Sequence, residues 1–285
     1  MNFSLESILK DGQIMLKKAG IENYANEAKE IIENLLDKTP EEVFLIKDTL
    51  IDNKIRRNFL KKIKRRCNGE PLQYITKIAH FYSRAINISK GVLIPRPETE
   101  ILIEKVLKTL KLKKNMSCLD MCAGSGCIGL TLMLENQNFK NVVFVDKSKM
   151  AMDCCRHNVK KFKTLSKSDF ILSDFYSKVK KKKYDVVCCN PPYISSQEYV
   201  SLQRTVKDYE PKSALISKNN GYLHIERIAK DSIEYLKKDS YIFFEVGVGQ
   251  ASKVRKILSN LGYTDLVTYN DLGNIERVVS GKWKK

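Results

Sequence analysis

Apolar residues recur at helical spacing through the first seventy positions, at Leu5, Ile8 and Leu9, then at Ala28, Ile31, Ile32, Leu35 and Leu36. The spacing predicts amphipathic helices that bury one face in a small bundle. Thr39-Pro40-Glu41-Glu42 reads as a helix start: a hydroxyl cap, a proline in the first turn, then acids near the positive end of the dipole. A further helix is expected over 52–66. From 70 to 95 the pattern changes. Tyr74-Ile75-Thr76, His80-Phe81-Tyr82 and Ile86-Asn87-Ile88 read as short strands of a hairpin joining two domains. Pro95-Arg96-Pro97 then stiffens the chain, and Glu98-Thr99-Glu100 opens an amphipathic helix toward Leu110.

Beyond Met116 short apolar runs alternate with helical stretches. Strands are expected at 117–122, 142–146, 169–173, 184–189 and 240–246, and helices near 126–136, 148–162, 221–237 and 250–261. That rhythm predicts an α/β domain with a mostly parallel sheet and helices on both faces. Two final strand-like stretches, 264–269 and 275–280, are expected to form a hairpin and an antiparallel edge, for seven strands in all. The expected domains are 1–70, all helical; 71–95, a β-hairpin linker; and 96–285, the α/β domain.

Composition narrows the class. The chain has 285 residues, 43% of them hydrophobic, enough for a substantial core. No apolar run approaches the roughly 18–20 residues that cross a bilayer, so no membrane partner is expected. The first residues lack the basic and apolar regions of a signal peptide. Of eight cysteines, Cys118, Cys122, Cys127, Cys188 and Cys189 fall in expected strands or at their ends, and Cys154 and Cys155 are adjacent on an expected helix. With no Cys-x-x-Cys and three scattered histidines, they read as small buried hydrophobes of a reducing cytoplasm, and no metal site is expected. The net charge of +18 suits an anionic partner, yet lysine far exceeds arginine, as compositional drift would also produce.

The candidate chemistry lies where apolar runs end. The run Tyr184 to Cys189 leads into Asn190-Pro191-Pro192-Tyr193. The side-chain carbonyl of Asn190 and the backbone carbonyl of Pro191 can each accept one N–H of a planar NH2 group. The prolines fix the turn and add no competing donor, and Tyr193 offers a ring face. In the first βα turn, Cys122-Ala123-Gly124-Ser125-Gly126 is followed by Gly129; the glycines allow a tight turn, and Gly129 allows close helix–strand packing. Asp146 ends the second strand, placed to accept two ribose hydroxyls. Asp174 and Phe175 end the third, suited to an adenine amino group and ring. The glycine turn and Asp146 would serve a nicotinamide dinucleotide equally well.

The turn at Asn190 separates these choices. Hydride transfer has no evident use for a pair of acceptors there, whereas methyl transfer from S-adenosylmethionine does. An amide or aromatic amine is a weak nucleophile because its lone pair is delocalised. Accepting both hydrogens turns the lone pair toward the methyl carbon and stabilises the charge that develops on nitrogen. No strong general base is needed.

The chain resembles the HemK/PrmC protein-glutamine N5-methyltransferases, which modify peptide chain release factors. The resemblance rests on Gly69-Glu70-Pro71-Leu72-Gln73-Tyr74-Ile75-Thr76, Leu93-Ile94-Pro95-Arg96-Pro97-Glu98-Thr99-Glu100, Asn190-Pro191-Pro192-Tyr193-Ile194, Glu210-Pro211, Glu245-Val246-Gly247 with Gln250, and Asp271-Leu272-Gly273 with Arg277. It implies a class I, Rossmann-like methyltransferase domain behind a helical domain that helps dock the release factor. It implies that Cys122, Ala123, Gly124, Ser125, Gly126, Asp146 and Phe175, with Asp174 and Asn190, hold S-adenosylmethionine. Asn190, Pro191, Pro192 and Tyr193 would hold the glutamine of a Gly-Gly-Gln loop in class 1 release factors, with Asn190, Pro191 and Tyr193 catalytic. A monomer is the default, with no obligatory nucleic acid and with room for ribosome contact. Cys122-Ala123 stands where this family usually has Gly-Thr, and Lys77 where it has glycine. The runner-up is an adenine-N6 methyltransferase on DNA or RNA, which shares Asn-Pro-Pro-Tyr; a reading from another class is a non-catalytic ribosome-associated nucleotide-binding module.

Overall fold

The computed structural model describes residues 3–285. Two compact units emerge. The first holds the described residues up to Ile78 together with Gln203–Tyr209, and the second holds Ala79–Leu202 and Glu210–Lys285.

The first unit is a helical bundle built on Leu5–Lys18, Tyr24–Leu36 and Asn53–Cys67. Their apolar stripes meet in one core of Leu5, Ile8, Leu16, Ile31, Ile32, Phe59 and Ile63, the spacing that the sequence set out. Thr39 caps Pro40–Leu45 in a full capping box with Glu42. Two features differ from expectation. Tyr74-Ile75-Thr76 is not a strand but belongs to the helix Leu72–Thr76, which starts after Pro71 and stops at Lys77 in the left-handed region (φ 63°). Leu72 and Ile75, three apart, both reach the helical core, so the helical period prevails over the β-branched run. Gln203–Tyr209, far along the chain, also belongs to this unit, where the Tyr209 hydroxyl donates to the Asn68 carbonyl at 2.9 Å.

A two-stranded ribbon, Ile78–Phe81 with Arg84–Asn87, belongs to the second unit from Ala79 onward and turns through Tyr82 and Ser83, both at positive φ as a primed hairpin turn requires. The large sheet has seven strands: β1 (Met116–Met121), β2 (Phe139–Asp146), β3 (Ser168–Leu172), β4 (Tyr184–Cys189), β5 (Leu236–Glu245), β6 (Thr264–Asn270) and β7 (Glu276–Trp283). Their order is β6-β7-β5-β4-β1-β2-β3. All pairs from β5 through β3 are parallel, and β7 runs antiparallel between β5 and β6. Every residue of β1 and β4 is buried, as central parallel strands covered on both faces must be. β5 begins four residues earlier than the apolar run at 240 suggests, because Leu236 pairs with Tyr184 ahead of a register shift. The helix expected at 221–237 is the shorter Leu223–Ser232.

Strand order reverses at β1 and β4, neighbours whose crossovers lead to opposite halves of the sheet. Ligand crevices of doubly wound folds open at the carboxyl ends of such strands. Among the described residues, no helix is long and apolar enough to cross a membrane, and no group of three or more His, Cys, Asp or Glu could hold a metal ion.

Candidate active site

A crevice opens at that switch point. Cys122, Ala123, Gly124 and Ser125 line it from the β1 turn, Asp146 from β2, Asp174 and Phe175 after β3, and Asn190 and Pro192 after β4. Gly126, Pro191 and Tyr193 stand outside that lining. Gly126 instead caps the helix Cys127–Glu135 in the left-handed conformation, and Pro191 is buried.

The glycine turn is tied to Asp146. One carboxylate oxygen accepts the Gly124 N–H at 2.9 Å, and the other accepts the Ser148 N–H at 2.8 Å. A carboxylate has about four lone-pair positions, so two remain for a diol. Burial pushes this carboxyl above its ordinary range, offset by those backbone N–H groups. Cys122 sits at φ 60°, a conformation that suits glycine and strains a residue with a Cβ. Behind the turn, Asp120 is fully buried; one oxygen accepts the Gly129 N–H at 2.9 Å and the other has no partner among the described residues. Burial raises its carboxyl to about 8. A Cβ on Gly129 would lie 2.6 Å from the Phe144 ring and 2.7 Å from Val142, so only glycine allows this helix to sit so close to β2.

At the end of β3, Asp174 is exposed and pairs with Arg227 at 3.2 Å. Phe175 is buried, its ring 5.4 Å edge-on from His224 and 4.8 Å below the Arg227 guanidinium. His224 lines the crevice although sequence reasoning set the histidines aside as scattered. Its Nδ1 is buried without a partner among the described residues, and burial keeps the imidazole below its ordinary pKa, hence neutral.

The turn after β4 rests on a buried polar chain. Asn190 Nδ2 donates to Thr99 Oγ1 at 3.2 Å, and Thr99 Oγ1 donates to Glu245 Oε2 at 2.5 Å. The Tyr193 hydroxyl donates to the other Glu245 oxygen at 3.3 Å. With its amide nitrogen so used, Asn190 keeps its side-chain carbonyl as the acceptor end. Glu245 closes β5 and is fully buried; burial raises its carboxyl to about 7 against the hydrogen bonds from Thr99 and Tyr193. Gln250 completes the brace: Nε2 donates to the Tyr193 carbonyl at 2.9 Å, and Oε1 accepts the Gly247 N–H at 2.9 Å. At Gly221 (φ 91°), a Cβ would fall 2.1 Å from the Tyr193 carbonyl oxygen, so the turn is packed too closely for any side chain there. Arg96 pairs with Glu210 at 2.5 Å, and Glu210 also accepts the Ile94 N–H at 3.3 Å.

Thr99, Glu245, Gln250 and His224 were absent from the sequence-derived site. Thr99, Glu245 and Gln250 did stand in the motifs that carry the resemblance, and Glu245 also closes the apolar run Ile242-Phe243-Phe244, but none was given a role in the site; His224 had no such signal.

Open lone pairs on Asp146, an unpartnered His224 nitrogen and an apolar wall that includes Val92, Leu93 and Phe175 fit a nucleoside. The sheet order, its antiparallel edge strand and a crevice at the switch point are those of a class I, Rossmann-like methyltransferase fold. Two family descriptions match the chain: a PrmC N-terminal domain at 7–76 and a methyltransferase small domain at 97–236. A release factor glutamine methyltransferase of Clostridium botulinum is 32% identical over 280 residues, covering 98% of this chain and 99% of its own. A bifunctional methyltransferase of Rickettsia typhi is 32% identical over 297 residues, covering 98% of this chain; the match takes in 57% of that longer protein, so this chain spans little more than half its length. A methyltransferase structure from Pyrococcus furiosus shares the fold, with a TM-score of 0.53 at 13% identity, covering 82% of this chain and all of that one. The chain belongs to the release factor glutamine methyltransferase family.

Proposed function

We propose that this chain methylates the side-chain amide nitrogen of the glutamine in the Gly-Gly-Gln loop of class 1 peptide chain release factors, using S-adenosylmethionine. The observation that carries the reading is the hydrogen bond from Asn190 to Thr99, which leaves the Asn190 carbonyl available to the substrate. Asn190 Oδ1 and the Pro191 carbonyl would accept the two amide hydrogens and so turn the nitrogen lone pair toward the methyl donor. S-adenosylmethionine, when bound, would supply an electrophilic methyl on a sulfonium whose neutral thioether is the leaving group. As the N–C bond forms, positive charge passes to the amide nitrogen, where the two carbonyls stabilise it; the extra proton then leaves to solvent. Tyr193, anchored on Glu245, and Pro192 hold the turn in place. Asp146 accepts the ribose hydroxyls, the turn from Cys122 to Gly126 follows the cofactor's tail, and Asp174 and Phe175 border the adenine.

In this reading the helical unit docks the release factor, the ribbon links it to the catalytic domain, and the enzyme works in the cytoplasm as a monomer. Incubation with labelled methyl donor and a release factor tests it: label on the Gly-Gly-Gln glutamine supports the reading, and label elsewhere refutes it.

A further inference from the structure

The catalytic end of the sheet is not where the charge lies. The amino ends of β1 to β6 and the carboxyl end of β7 share the opposite edge, as the pairs Met116 with Phe139, Tyr184 with Leu236, and Ser240 with Trp283 require. Seven segments meet there: 110–116, 136–141, 162–169, 178–185, 232–241, 261–265 and 281–285. Together they hold sixteen lysines, five carboxylates and no arginine. This edge alone carries an excess of eleven positive charges, against +18 for the whole chain. Compositional drift would scatter lysines without regard to topology.

Some of these lysines serve the fold. Lys113 and Lys237 converge on Asp185 at 3.0 and 2.6 Å, and together with the Ser117 N–H they overcome burial and hold that carboxyl down at about 2. Lys181 pairs with Glu234, and Lys282 with Asp239. Lys114, Lys180 and Lys182 are exposed and pair with no carboxylate among the described residues. Seven strands at about 4.8 Å spread this charge over roughly 30 Å, the scale of a nucleic-acid backbone rather than of a single small anion.

We propose that this edge is an electrostatic docking surface for the phosphate backbone of RNA, with the methyl-transfer crevice facing away. Leu112 is the large apolar side chain most exposed at this edge (92%). A single leucine is a poor membrane anchor, and a protein interface is usually built on aromatic and arginine anchors. Lysines without arginine give point charges and little geometric selection, so binding is tolerant of sequence and sensitive to salt. The choice of RNA over DNA rests on the proposed release-factor substrate, which acts where RNA is abundant.

The test measures fluorescence anisotropy of a labelled mixed-sequence RNA oligonucleotide with the full chain at rising salt, alongside duplex DNA of equal length and phosphatidylglycerol vesicles. RNA should bind best. The triple variant Lys114→Glu, Lys180→Glu, Lys182→Glu should bind about tenfold or more weakly, with a shallower salt slope. Its melting temperature and its methylation of free release factor should match the parent. The matched swap Lys10→Glu, Lys18→Glu, Lys29→Glu, on the helical unit, should bind RNA as the parent does. Absence of RNA binding, equal loss in both variants, or tighter binding to DNA or vesicles overturns the proposal. Binding is read without methyl transfer, so its failure leaves the release-factor reading standing, and loss of glutamine methylation alone leaves RNA docking standing.

Discussion

Asn190 Nδ2 lies 3.2 Å from Thr99 Oγ1, and through that hydroxyl the Asn190 amide is oriented by Glu245, a carboxyl buried at the end of a neighbouring strand. An asparagine amide has two ends of similar shape and opposite hydrogen-bonding sense. Only the orientation that points oxygen outward can accept an N–H. Thr99→Val keeps the shape and removes the oxygen that fixes this choice. Its kcat should fall about tenfold, as expected for loss of roughly one hydrogen bond's worth of transition-state stabilisation. Thr99→Ser should retain most of the activity. Steady-state kinetics on both variants decide it; a valine variant with parental kcat would show that Asn190 needs no such partner.

Glu245 also makes stability depend on pH. Burial sets its carboxyl at about 7, against an ordinary 4.5 when unfolded. The folded state therefore holds the extra proton across that window. The group's contribution is complete below about pH 4.5 and is lost as pH rises through about 7. Asp120, raised to about 8 by burial, acts with the same sign. Glu245→Gln removes the first share. Between about pH 5 and pH 8 its urea-unfolding stability should decline less than the parent's, by about 2 kcal/mol. Parallel declines in parent and variant would contradict the burial argument.

Asp146 joins the glycine turn to the helix that starts after Ser148, and it lines the crevice. Asp146→Ala removes both the tie and the diol acceptor. Calorimetry should show S-adenosylmethionine affinity reduced about a hundredfold, the scale of two lost hydrogen bonds to a charged group. Unchanged affinity would place the ribose elsewhere.

Cys122 holds a left-handed conformation within the glycine turn after β1. Cys122→Gly relieves that strain and should raise thermal stability by about 1 kcal/mol, less the entropy that glycine adds to the unfolded chain. Differential scanning calorimetry reads the change. A clear loss of stability would mean that the cysteine side chain packs well enough to outweigh its backbone.

The sheet was legible because β1 and β4 are uninterrupted buried runs, and because Gly124, Gly126 and Asp146 mark a βα turn and the next strand end. Tyr74 to Thr76 was misread because three residues with strand-like side chains carry too little periodicity to distinguish two faces from one. The helical unit's recruitment of Gln203–Tyr209 left no local mark, since membership is decided by packing. Asn190 and Asp146 could be found from strand-end position alone. Thr99 and Glu245 could not be joined, because they lie 146 residues apart and meet only when the helix that Thr99 opens packs against β5. His224 stood on a helix face with no pattern to single it out.

The central claim concerns two carbonyl oxygens and one amide. Its most direct test is tandem mass spectrometry of a release factor, and of nucleic acid incubated alongside it, after reaction with labelled S-adenosylmethionine and either the parent or Asn190→Ala. The account predicts label on the Gly-Gly-Gln glutamine side chain with the parent, none with the variant, and S-adenosylmethionine binding retained in both. Equal glutamine labelling by the variant, or label found on nucleic acid instead, would contradict it.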